Sequence, residues 1–118
     1  MKTALALTAA AAAVAAFLPV DAAEARAARC VVVSNGVGTY RGPCDFLAER
    51  GGSFNVAPPR GRSFPGGVSA ISVAVEDPGV AEVRGLTRQG INSRWGTAQR
   101  SRRDRACWVG SDFSVCAY

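Results

Sequence analysis

Turn-forming glycines, prolines and asparagine recur along this chain at a spacing that leaves room for short strands and little else. Asn35-Gly36, Gly51-Gly52, Pro65-Gly66, Pro78-Gly79 and Gly110-Ser111-Asp112 separate short apolar runs rich in Val, Phe and Tyr, the pattern of an antiparallel all-β domain. Residues 30–34 and 37–41 flank Asn35-Gly36, a pair that suits the positive φ angles of a two-residue type I′ turn and so predicts a hairpin. Residues 44–50 and 53–57 flank Gly51-Gly52 in the same way, with a short helix over 45–50 as the alternative. Six prolines and glycines between 57 and 67 make that stretch a loop. Over 69–76 the residues alternate, with Ile71, Val73 and Val75 on one face, as a half-buried strand requires; Asp77-Pro78-Gly79 then turns the chain into a further run over 80–84. Neither period is sustained from 85 to 105, where glycine, arginine and polar residues dominate, and a long connection is expected there. The fold class is a small antiparallel sandwich or open barrel built from hairpins. Its expected core is Val32, Phe46, Phe54, Ile71, Val73, Val75, Val83, Trp108, Phe113 and Val115.

Such a domain is small, and its sequence supplies covalent help. Residues 1–25 read as a cleavable signal peptide: Lys2, an alanine-rich apolar stretch carrying Leu5, Leu7, Val14 and Phe17, then Pro19 and small residues at alternate positions. Cleavage after Ala25 is favoured over the neighbouring small-residue sites. At about 15 residues the apolar stretch is shorter than the ~20 needed to span a bilayer. Removal leaves about 93 residues, 26–118, as one domain with a modest core. Cys30, Cys44, Cys107 and Cys116 all lie in it, and an even number of cysteines in an exported chain predicts two disulfides. Zinc is the rival reading, but there is no histidine and no CxxC pair. If Ser111-Asp112 is a two-residue loop, Gly110 and Phe113 close the last hairpin, and Cys107 faces Cys116 at a non-hydrogen-bonded position with Cα atoms about 4.5 Å apart. The first hairpin and the Gly42-Pro43 bend bring Cys30 near Cys44. Local bridges are therefore the first choice among three connectivities, although a sandwich tying the termini together permits the crossed ones. The location expected is periplasmic or secreted.

The chemistry available is narrow. Without histidine there is no Ser-His-Asp triad and no Cys-His pair. Six acids, Glu49, Glu76, Asp77, Glu82, Asp104 and Asp112, stand in no catalytic context, and two of them have plain turn roles. No enzymatic activity and no cofactor is expected. Charge is more informative: the formal value of +5 becomes one unit more basic when Lys2, Asp21 and Glu24 leave with the signal peptide. All remaining cations are arginine, and Arg94, Arg100, Arg102, Arg103 and Arg105 crowd one segment opposed only by Asp104. In an exported protein that cluster points to an anionic partner, an envelope component or an acidic protein cleft, rather than nucleic acid. Arg94, Trp95, Arg100 and Arg103 are the candidate contacts, Arg-Trp being a composition enriched at binding hot spots. The competing reading of Trp95 is a residue that pins its segment to the core.

Asn35-Gly36 through Tyr40, Gly42-Pro43-Cys44, Gly51-Gly52-Ser53-Phe54, Arg94-Trp95-Gly96 and the ending from Ala106-Cys107-Trp108 to Cys116-Ala117-Tyr118 together resemble small exported proteins of alpha-proteobacteria. Some proteins with a related Gly-Pro-Cys, Gly-Gly-Ser-Phe and Ala-Cys-Trp layout are described as periplasmic inhibitors of peptidoglycan hydrolases, lysozyme among them. The resemblance thus implies an inhibitor of a cell-wall hydrolase. Better-known lysozyme inhibitors carry a Ser-Gly-x-x-Tyr loop, whereas this chain has Ser34-Asn35-Gly36-Val37-Gly38-Thr39-Tyr40, so no inhibitory residue carries over. The alternative is an envelope-binding or structural protein whose arginine-rich segment meets anionic polymer or lipid.

Overall fold

A computed structural model describes residues 25–118; the expected signal segment, apart from its last residue, lies outside them. Eight antiparallel strands follow one another: β1 (Arg26–Ser34), β2 (Gly38–Ala48), β3 (Phe54–Ala57), β4 (Val68–Asp77), β5 (Val80–Thr87), β6 (Asn92–Arg100), β7 (Cys107–Val109) and β8 (Phe113–Ala117). Each pairs with its neighbour in sequence, and β1 also pairs with β8, so the sheet closes into an up-and-down barrel. The expected all-β, hairpin-built fold is present, and closure leaves none of the described strands as a free edge, the liability of an open barrel or sandwich. With eight strands the interior is just wide enough to be filled by side chains. Val32, Val56, Ile71, Val73, Val83 and Val115 fill it, all at most 1% exposed.

Both local disulfides form. Cys107 and Cys116 are cross-strand partners with Cα atoms 4.0 Å apart. Hydrogen bonds from Gly110 N–H to the Phe113 carbonyl and from Ala117 N–H to the Ala106 carbonyl flank them, so their pair is the non-hydrogen-bonded one. Cys30 faces Gly42 across the ladder and bonds diagonally to Cys44, with Cα atoms 5.8 Å apart. Strand alternation sets these bridges on opposite surfaces. Cys30 shares a face with Val32 in the core, whereas Cys107 lies opposite the inward-facing Trp108.

Four local expectations change. Gly42-Pro43 is not a bend, since β2 runs through it and pairs with β1 on both sides, and Cys44 reaches Cys30 across that ladder. At Asn35-Gly36 the loop has three residues, Asn35 to Val37, because Ser34 pairs with Gly38. Val37 N–H bonds the Ser34 carbonyl, and only Gly36 takes a positive φ, +81°, as at the third position of a type II turn. The helix considered over 45–50 is absent: β2 runs on to Ala48, and a single 3-10 turn, Arg50–Gly52, leads into β3. The long connection expected over 85–105 is mostly strand. β5 continues to Thr87 and β6 occupies Asn92–Arg100, with a bulge at Trp95 where Val83 pairs Gly96 and Arg84 pairs Arg94. The bulge breaks the period of two, which is why alternation over this stretch is not visible in the sequence.

The two ends of the barrel differ. At the end carrying the β1–β2, β3–β4, β5–β6 and β7–β8 connections, aromatic rings close the interior. Phe64, 1% exposed, reaches in from the proline- and glycine-rich loop and meets Tyr40 edge-on at 5.0 Å. Trp95 meets Phe113 in the same manner at 5.6 Å. At the other end, reached by the termini and the β2–β3, β4–β5 and β6–β7 connections, two of the expected core residues, Phe46 and Val75, remain only half-buried.

Candidate functional site

That second end holds a cavity of about 640 Å³, within the ~300–1,000 Å³ range of small-molecule pockets. Four arginines, Arg26, Arg100, Arg102 and Arg105, line it, together with Phe46, Phe54, Val75, Trp108 and the glycines of two turns. Among the described residues no aspartate or glutamate lines it.

Two of these arginines occupy positions the barrel reserves for its interior. Counting back along β1 by twos from Val32 and Cys30 through Ala28 reaches Arg26, which therefore starts the strand on the inward face. Its cross-strand partner is Phe46, and its guanidinium lies 4.4 Å from the centre of that ring. Arg100 is placed in the same way at the far end of β6. It pairs with inward-facing Trp108, and its guanidinium stands 5.7 Å from the indole. Cation–π attraction and the barrel wall hold both charges at the rim. Arg100 Nε also donates to the Arg105 carbonyl at 2.8 Å, which fixes the fork while leaving its terminal nitrogens to point elsewhere.

Between β6 and β7 the connection is held by its own polar side chains. Ser101 Oγ accepts from the N–H groups of Arg103 and Asp104 at 3.1 and 3.2 Å, and Asp104 Oδ1 accepts from Ala106 N–H at 3.1 Å. Tyr118 Oη donates to Asp104 Oδ2 at 2.5 Å, tying the last residue of the chain to this loop. That hydrogen bond, then the one from Ala106, holds the Asp104 carboxyl below its ordinary value, while the bond to Asp104, then desolvation, raises the Tyr118 phenol. Asp104, the only acid in the arginine cluster, is thus spent on loop geometry. Exposed Arg102 and Arg103 sit at the loop's tip.

Of the four residues expected from sequence to make contacts, Arg100 lines the cavity and Arg103 stands on the loop beside it. Arg94 and Trp95 lie further along β6, toward the closed end. Arg94 is on the outer wall, bonded through Nε to Glu82 Oε1. The bond lowers the Glu82 carboxyl below its usual value and raises the guanidinium. Trp95 packs against the core, its indole Nε1 at 2.8 Å from where a Cβ on Gly85 would stand, so it pins its segment as the competing reading had it. Sequence reasoning passed over Arg26 and Phe46 as site residues. The signal for Arg26 was the period of two in β1, but its proximity to residues 100–105 exists only once the barrel closes.

Among the described residues no group of three or more His, Cys, Asp or Glu side chains could hold a metal, and no helix is long and apolar enough to cross a membrane. Comparison with protein-family models, curated proteins and solved structures finds no match to this chain. The fold and the site define a disulfide-stapled, eight-stranded barrel with one end closed by aromatics and one end open and cationic.

Proposed function

We propose that this chain is an exported, periplasmic binding protein that holds an anionic envelope component at the open end of its barrel. One observation carries the reading: four arginines line one concavity that, among the described residues, no carboxylate lines. Among the described residues the one arginine–carboxylate ion pair, Arg94–Glu82, lies on the outer wall instead. Like charges gathered in this way repel one another, and an anionic partner relieves the repulsion while gaining bidentate hydrogen bonds from the guanidinium forks. The two disulfides fit an oxidising compartment outside the cytoplasm.

Inhibition of a cell-wall hydrolase is the second reading, and the rigid β6–β7 loop favours it. A loop already held by Ser101, Asp104 and Tyr118 loses little conformational freedom on entering a cleft, and Arg102 and Arg103 at its tip suit catalytic carboxylates. Many lysozymes are themselves basic and would repel this protein at long range, so the target on this reading is an acidic hydrolase.

Co-sedimentation of the processed protein with purified cell-wall material, beside inhibition assays on acidic and basic hydrolases, tests both. Binding to the wall that fades as salt rises, and that Arg102→Gln/Arg103→Gln weakens, supports the first reading. Salt-resistant inhibition of a hydrolase without wall binding replaces it with the second; neither activity removes both.

A further inference from the structure

The open end is more specific than a basic patch, because its charges stand around an unfinished apolar floor. Phe46, Val75 and Ala117 pack against the core yet stay half-buried, and the ring of Phe46 stacks on buried Phe54 at 4.9 Å. At the opposite end Phe64 comes in from a loop and is almost wholly buried. Here arginines take that place. Arg26 and Arg100, in inward-facing positions, lie over Phe46 and Trp108, and no carboxylate of the described residues lines the cavity with them. A ligand that completes this end has to supply apolar surface and negative charge together.

The number of arginines narrows the charge. A carboxylate brings one negative charge to four guanidiniums, whereas a phosphomonoester brings about −1.5 to −2 and three acceptor oxygens at neutral pH, which two or three arginine forks can share. We propose that the mouth binds a phosphate ester of an apolar chain, with the phosphate between Arg26, Arg100 and Arg105 and the chain laid across Phe46 and Val75. This deepens the anionic-component reading and rests on it. The same chemistry is presented by a soluble alkyl phosphate and by a phosphomonoester lipid headgroup.

Calorimetric titration of the processed protein with dodecyl phosphate below its micelle concentration tests this, beside dodecyl maltoside, which has the chain without the charge, and inorganic phosphate, which has the charge without the chain. The expected result is one-to-one binding of dodecyl phosphate, at least about tenfold tighter than either control, with a change in Trp108 fluorescence. Arg26→Gln and Phe46→Leu should each weaken it roughly tenfold with an unchanged far-ultraviolet spectrum, and Arg60→Gln, on the β3–β4 connection at the closed end, should leave it nearly unaltered. Flotation with vesicles containing a phosphomonoester lipid separates the sources. Vesicle binding lost in Arg26→Gln assigns the site to a membrane headgroup, and binding of the monomer alone assigns it to a soluble ester. Equal affinity for dodecyl phosphate and either control, or indifference to Arg26→Gln, overturns the proposal. If wall binding through Arg102 and Arg103 persists in that case, the broader reading survives and only the ligand assignment falls.

Discussion

At the scale of single residues, small side chains decide what fits inside the barrel. Gly85 faces inward on β5, and the Trp95 indole occupies the space where any larger residue would place its Cβ, with Val68 Cγ2 at 3.2 Å on another side. Gly85→Ala should cost about 1–3 kcal/mol, as overpacking does, and should shift tryptophan emission; an unchanged melting temperature would show that Trp95 is not held there. The Asp104–Tyr118 contact gives a second prediction through its pH dependence. Because the Asp104 value is lowered, its contribution is present above the ordinary 3.8 and is lost as pH falls through the lowered folded value. Because the Tyr118 value is raised, its contribution is present below the ordinary 10.0 and is lost as pH rises through the raised value. The difference in melting temperature between the native chain and Tyr118→Phe should therefore be widest in between and narrow at both extremes. A difference constant with pH would remove this contact from the stability of the loop.

Individual strands and hairpins were legible in the sequence wherever a period of two ran unbroken. The alternation of Ile71, Val73 and Val75 is found in β4, and the register of the last hairpin follows from Ser111-Asp112 alone, down to the facing cysteines. β6 was not legible, because the bulge at Trp95 shifts its phase and few of its residues are apolar. Phe64 was missed for a related reason: it enters the core from a loop whose prolines and glycines carry no periodicity, although a lone large aromatic in such a loop was itself a signal. The elements also predict how the staples act. The Cys30–Cys44 bridge closes a span of 14 residues, and replacing both with alanine should cost about 3 kcal/mol in chain entropy. The Cys107–Cys116 bridge closes 9 and should cost somewhat less, since loop entropy grows with span. Equilibrium denaturation of the two double variants checks the order, and a larger loss from the shorter loop would reverse it.

Over the whole molecule, closure creates the candidate site. Arg26 and Arg100 begin and end strands far apart in sequence, and they share a rim because β1 meets β8 while β6 runs through the short β7 to reach it. The crowding of arginines at 100–105 was readable from the sequence. The cavity's remaining arginine, Arg26, its apolar floor and the separate fate of Arg94 and Trp95 were not, since each depends on pairings between distant strands. On the proposed function, the open, arginine-lined end is where this protein meets an anionic partner. Amide chemical-shift mapping of the isotope-labelled protein, titrated with soluble anionic fragments of cell wall, is the direct test. Shifts are expected only at the open end, at Gly51, Gly79 and residues 102–106, and should fade as salt is added. Shifts centred on the closed end around Phe64 and Trp95, or none at either end, would contradict it.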